Sequence, residues 1–127
     1  MNAIRTLASP LFGFAVMLLW GLGSVSLSAA ELVMFERDGC AWCARWDREV
    51  GTIYARTPEG ASAPLRRINL DRISVPEEGL KAPVRFTPTF VLLDRGREIA
   101  RITGYMGEDA FWGLLGKFLA STYKPGI

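Results

Sequence analysis

The sequence predicts an α/β domain on a four-stranded mixed sheet, with its elements in the order β-α-β and then β-β-α. Two kinds of segment carry that expectation. Four short runs are rich in strand formers, and two longer stretches place apolar residues at helical spacing. The connections differ as well. The first two strands are joined through a helix and should run parallel, whereas the last two are joined by a tight turn and should run antiparallel. At 127 residues the chain has the length of one domain.

Residues 1–30 stand apart, because Arg5 is their sole charge and they contain no Asp or Glu. A short positive start leads to the apolar run LFGFAVMLLWGL at 11–22, followed by the small residues SVSLSAA at 24–30. Ser28 and Ala30 fit the small-x-small pattern of signal-peptidase cleavage, which would start the mature protein near Glu31. The alternative is an uncleaved N-terminal membrane anchor, since residues 6–30 carry no charge. Glycines and serines after Trp20 dilute the run and almost no linker follows it, which favours cleavage. Either way, residues 31–127 form an exported domain, with Arg5 left on the cytoplasmic side.

Within that domain, LVMFE at 32–36 reads as a buried strand, broken by Arg37-Asp38-Gly39. From Cys40 to about Arg56 the spacing is helical, with Cys43, Trp46, Val50, Ile53 and Tyr54 on one face. Arg45, Arg48 and Glu49 fall opposite, and Thr57-Pro58-Glu59-Gly60 should end the helix. LRRINL at 65–70 alternates as the second strand, and Arg66 and Arg67 default to solvated positions. Residues 71–83 are less regular, but Ser74-Val75-Pro76-Glu77 resembles a capping box that could open one or two helical turns. TFVLL at 89–93 is the most strand-like run. Asp94-Arg95-Gly96-Arg97 turns it back into EIARITGY at 98–105. The last helix spans 109–120 with Phe111, Leu114, Leu115, Phe118 and Leu119 on one stripe. Gly113 and Gly116 weaken it. Trp46 and Trp112 read as packing residues.

The residue inventory narrows the chemistry. Fifteen Lys+Arg against 13 Asp+Glu give a net charge of +2, which is no footprint for nucleic acid. The absence of His removes Ser-His-Asp and Cys-His catalysis, His-ligated zinc or haem, and a His-based pH switch. Two Cys cannot complete a four-thiolate metal site. Neither a metal nor another cofactor is expected, and the chemistry falls to two thiols, carboxylates, Lys/Arg or backbone.

Those thiols form Cys40-Ala41-Trp42-Cys43 at a strand-to-helix junction. The free N–H groups and partial positive charge of a helix start favour a thiolate at Cys40, the expected nucleophile. Cys43, one turn later beside Trp46 and Val50, would be the sheltered resolving thiol. A purely structural staple would be weak, because so short a loop removes little unfolded-state entropy. Arg37 either adds positive potential near Cys40 or points to solvent.

The C-x-x-C junction, followed some 45 residues later by VRFTPTF at 84–90, resembles the thioredoxin superfamily. FERDGCAWCARWDREVGTIY, APLRRINL, FTPTFVLLDRGREIARITGY and FWGLLGKFL resemble, more narrowly, the small periplasmic thioredoxin-like proteins of bacterial sulfur-oxidation (Sox) systems, SoxS type. The resemblance implies a minimal thioredoxin-like fold and a cis peptide before Pro88. It further implies that Thr87 backbone and Pro88 position a substrate strand, and that Gly104 approaches the active-site loop. Trp42 is either a substrate contact or a cover for the disulfide. Met34 stands where thioredoxins carry a buried acid, so proton transfer at Cys43 is left to water or Glu36. The implied partners are a periplasmic protein carrying a disulfide or oxidised thiol and an upstream membrane thiol electron donor. Ala-Trp between the cysteines, without His, points to a reductant. The rival readings are a non-catalytic peptide-binding module and a disulfide-donating oxidase.

Overall fold

The computed structural model describes residues 30–74 and 77–122. Strand β1 (Ala30–Glu36) leads into helix α1 (Ala41–Trp46), which continues as a π-helical turn over Asp47–Gly51. A 3₁₀ turn (Tyr54–Arg56) and helix α2 (Pro58–Ser62) precede β2 (Leu65–Asn69). Strands β3 (Thr89–Asp94) and β4 (Arg97–Thr103) form the hairpin, and α3 (Glu108–Thr122) follows. The sheet order is β2-β1-β3-β4, with β1 parallel to β2 and antiparallel to β3, and β3 antiparallel to β4. This is the expected mixed sheet and connectivity.

The two central strands are apolar throughout because both faces of the sheet are covered. Leu32, Met34, Phe90 and Leu92 point to one face, where they meet Cys43, Trp46 and Val50 from the first helical segment and Phe111 and Leu115 from α3. Val33, Phe35, Val91 and Leu93 point to the other and, with Ile68 of β2, are capped by Leu70, Leu80 and Val84. The first face is rich in aromatic contacts. Trp46 lies 5.1 Å from the Phe90 ring and 5.6 Å from Phe111, and Trp112 stacks on Tyr54 at 6.0 Å. Trp46 and Trp112 are therefore packing residues, as expected.

Several local expectations change. The first helix does not run unbroken to Arg56: it widens into the π turn, and Ile53 emerges exposed. A side chain at Gly51 would come within 3.1 Å of the Trp46 ring, so the widened turn accommodates the buried indole. Thr57 starts a helix instead of only ending one, since its hydroxyl accepts the Gly60 N–H at 3.0 Å and donates to the Tyr54 carbonyl at 2.7 Å. On α3, Leu114 is exposed while Phe111 and Leu115 are buried. No helix occurs among the described residues between β2 and β3, and Val75 and Pro76 of the expected capping box lie outside them. The 1–30 segment lies outside them too, apart from Ala30. No described helix is long and apolar enough to cross a membrane.

Candidate active site around Cys40 and Cys43

The site is assembled where β1 ends and α1 begins. Gly39 takes a left-handed φ of 71°, turning the chain so that Cys40 becomes the N-cap of α1. Cys40 and Cys43 are joined by a disulfide, with their Cα atoms 5.2 Å apart. Cys40 is half-buried, whereas Cys43 is 4% exposed and belongs to the core that holds Trp46. The expected asymmetry between an accessible and a sheltered sulfur is present.

Two donors converge on the accessible sulfur. The Cys43 backbone N–H donates to Cys40 Sγ at 3.2 Å, and the Thr87 hydroxyl donates to it at 3.4 Å. Both would stabilise negative charge on Cys40 once the disulfide is reduced. Thr87 reaches this position from the loop before β3, through a cis Thr87–Pro88 peptide bond. Gly104 N–H donates to the Pro88 carbonyl at 2.7 Å. A side chain on Gly104 would meet no atom within 4 Å, so a left-handed φ of 82°, not close approach to the active-site loop, is what favours glycine there.

Thr87 also lines a groove of about 460 Å³, together with Trp42, Arg45, Pro88, Gly104, Tyr105 and Met106. Trp42 is 55% exposed and Met106 87% exposed, both unusual for large apolar side chains. Trp42 borders this groove, where it can touch a bound chain. Arg45, Glu49 and Tyr105 had no place in the reading of the site from sequence. Helical spacing assigned Arg45 and Glu49 to a solvated face, and nothing in the chain order links them to Tyr105.

A second groove, of about 490 Å³, reaches both cysteines and is bordered by Glu36, Asp47, Asn69 and Arg72. Met34 is fully buried and offers no proton acceptor. Glu36 is engaged by Arg67, which also holds Asp47 at 2.8 Å. Arg37 does not serve Cys40: it pairs with Asp71 at 2.7 Å, and Asp71 also accepts the Asp38 N–H at 3.0 Å. The Asp38 N–H, first among its influences, and Arg37 hold the Asp71 carboxyl below the usual range, against the opposing effect of burial. These pairs tie the loop before Cys40 to the end of β2. No described group of acidic or thiol side chains is arranged to hold a metal ion.

Residues 29–119 match a family model described as a thioredoxin-like domain. Among solved structures, the periplasmic thioredoxin SoxS from Paracoccus pantotrophus, in reduced form, is 43% identical. The match covers 73% of this chain and 98% of that one, with a TM-score of 0.68. Oxidised thioredoxin from Plasmodium falciparum is similar at 20% identity and TM-score 0.58, over 72% of this chain and 83% of its own. The germline-specific thioredoxin Deadhead from Drosophila melanogaster is similar at 24% identity and TM-score 0.57, over 71% and 81%. The last two likenesses speak to the fold. The comparison with curated proteins returned no match.

Proposed function

The chain belongs to the thioredoxin-like domain family and carries the C-x-x-C pair of a thiol–disulfide oxidoreductase, and from that premise we propose that it is an exported reductant of protein disulfides. The observation that carries the proposal is the unequal pair: a half-buried Cys40 whose sulfur receives two donors, bonded to a Cys43 in the core.

In the proposed cycle the reduced protein meets a partner disulfide in the groove beside Trp42, Thr87 and Pro88. The Cys40 thiolate attacks one partner sulfur and displaces the other as a thiolate, forming a mixed disulfide. Cys43 then loses its proton and attacks Cys40 Sγ, which releases the second partner thiol and closes the Cys40–Cys43 disulfide. Two electrons pass to the partner, and an upstream thiol donor at the membrane restores the dithiol. The proton from Cys43 leaves to water entering the groove bordered by Glu36 and Asp47. Arg67 holds both of those carboxylates in ion pairs.

The SoxS neighbour is a periplasmic protein, and the apolar 11–22 run behind Arg5 fits export to the same compartment. We therefore take the partner to be a periplasmic protein of the sulfur-oxidation machinery that carries a disulfide or an oxidised thiol. Replacing Cys43 with Ala should leave Cys40 able to attack but no thiol to resolve the product. A disulfide-linked adduct should accumulate in the periplasm and disappear on adding reductant. Absence of any adduct would sink the proposal. A reduction potential near roughly −270 mV, in the thioredoxin range, is expected, and one near about −120 mV would reverse the direction of flow.

A further inference from the structure

We infer that Arg45 is a specificity residue of the groove, binding an acidic side chain that lies close to the reactive cysteine of the partner. The inference rests on the oxidoreductase reading and adds the chemistry of the partner's sequence to it.

Arg45 follows Trp42 by one turn and is fixed from several directions. Its guanidinium carbon lies 5.6 Å from the Trp42 ring centroid and 5.6 Å from that of Tyr105. Its Nε donates to Glu49 Oε1 at 2.8 Å, and the Tyr105 hydroxyl donates to Glu49 Oε2 at 2.6 Å. Glu49 thus binds the arginine and the tyrosine at once, spanning α1 and the loop after β4.

The arrangement uses only one of the arginine's nitrogens. Among the described residues, neither terminal nitrogen of Arg45 has a hydrogen-bond acceptor. Arg45 borders the groove together with Thr87 and Pro88, whereas Glu49 does not. A peptide in the groove therefore lies beside an arginine whose terminal N–H groups have no acceptor among the described residues. Two terminal N–H groups in a planar fork match the two oxygens of a carboxylate. Because the two rings and Glu49 already order the side chain, little rotamer freedom remains to be lost on binding. The exposed Trp42, Met106 and Phe86, the last 66% exposed and next to Thr87, suit apolar residues flanking that acid.

The test uses the reduced full-length protein and short peptides, acetylated and amidated, with one cysteine held in a disulfide with 2-mercaptoethanol. Glu, Gln or Lys is placed at each of the two positions on either side of the cysteine. The Cys40–Cys43 dithiol is oxidised as each peptide disulfide is cleaved to two thiols. At the favoured position kcat/KM should fall in the order Glu, Gln, Lys, by about fivefold per step at low salt. The differences should shrink as salt screens them. Arg45→Gln should bring the Glu and Gln peptides to parity, chiefly through KM, and Arg45→Lys should restore part of the order. Equal kcat/KM for Glu and Gln peptides in the wild-type protein, with both reduced, would overturn this inference and leave the oxidoreductase reading standing. Preference for Glu that survives Arg45→Gln would also overturn it. Failure to reduce any of the peptides would overturn both.

Discussion

Cys40 illustrates how few atoms set the reactivity of a thiol. A helix N-terminus alone lowers a thiol pKa, but here a second donor, the Thr87 hydroxyl, comes from a segment 47 residues away. Replacing Thr87 with Val removes that O–H while keeping a side chain of nearly the same shape. A donor to the charged form holds a thiol pKa down, so its loss should raise the pKa of Cys40 in the reduced protein. Below that pKa, alkylation of Cys40 by iodoacetamide should slow by about three- to tenfold, the equivalent of one net hydrogen bond. Thiolate absorbance followed against pH would check it, and an unchanged titration would remove Thr87 from the account. The cysteine pair and its placement were legible in the sequence because C-x-x-C at a strand-to-helix junction is a local pattern. The Thr87 position came through resemblance to a family. Arg45, Glu49 and Tyr105 were not legible, because their meeting depends on how α1 and the loop after β4 pack together. Burial, then the Glu49 acceptor, pushes the Tyr105 hydroxyl pKa up, and Tyr105 with Arg45 holds the Glu49 carboxyl below its usual range.

At the scale of elements, the same residue type has opposite meanings in α2 and α3. A side chain at Gly60 would come within 1.9 Å of the Tyr54 carbonyl oxygen, where the start of α2 crosses the preceding 3₁₀ turn. Gly60→Ala should therefore cost about 1–3 kcal/mol through forced backbone movement. Gly113, on the exposed side of α3, has no atom within 4 Å of an added Cβ. Gly113→Ala should stabilise the protein by about 0.5–1 kcal/mol, because alanine loses less backbone entropy in a helix. Urea unfolding of the two variants should move in opposite directions. A Gly60→Ala protein as stable as wild type would contradict the steric argument. Helical periodicity located Cys43, Trp46 and Val50 correctly, since these face the sheet. It overran at Ile53 because the widening around Trp46 and the stop before Thr57 respond to tertiary packing, which a 100° projection does not contain.

Across the whole molecule, the two-sided burial of the sheet makes β1 and β3 legible as continuous apolar runs, whereas β4 departs from simple alternation. Continuous apolar runs such as LVMF and FVLL need no knowledge of neighbouring strands. In β4, the register shifts opposite Leu92 and Leu93, so that Glu98 pairs with Leu93 and Ala100 with Leu92. The shift leaves Ile99 outside the ladder and exposed, and turns Glu98 inward to 7% exposure. There Glu98 accepts Arg101 Nε at 2.6 Å and the Lys81 backbone N–H at 2.7 Å, while Arg101 also donates to the Ala82 carbonyl at 2.8 Å. Glu98 and Arg101 thus bind β4 to the segment that carries Leu80 and Val84 over the second face of the sheet. Burial acts to raise the Glu98 pKa, but the Arg101 and Lys81 donors outweigh it and hold the carboxyl below its usual range. The unfolded chain therefore takes up a proton at Glu98 at higher pH than the folded protein does, so stability rises with pH across that interval. The contribution is fully present above the ordinary carboxylate pKa of about 4.3 and fades as pH falls through the lowered folded value. Glu98→Gln keeps the shape but not the charge, leaving Arg101 without its anionic partner. At pH 7 it should cost about 1–3 kcal/mol in urea unfolding. As pH falls below the ordinary carboxylate range the gap to the wild-type protein should narrow, because the unfolded wild-type chain takes up its proton at Glu98 first. A gap that stays constant as pH falls through the carboxylate range would remove the Glu98 charge from the account.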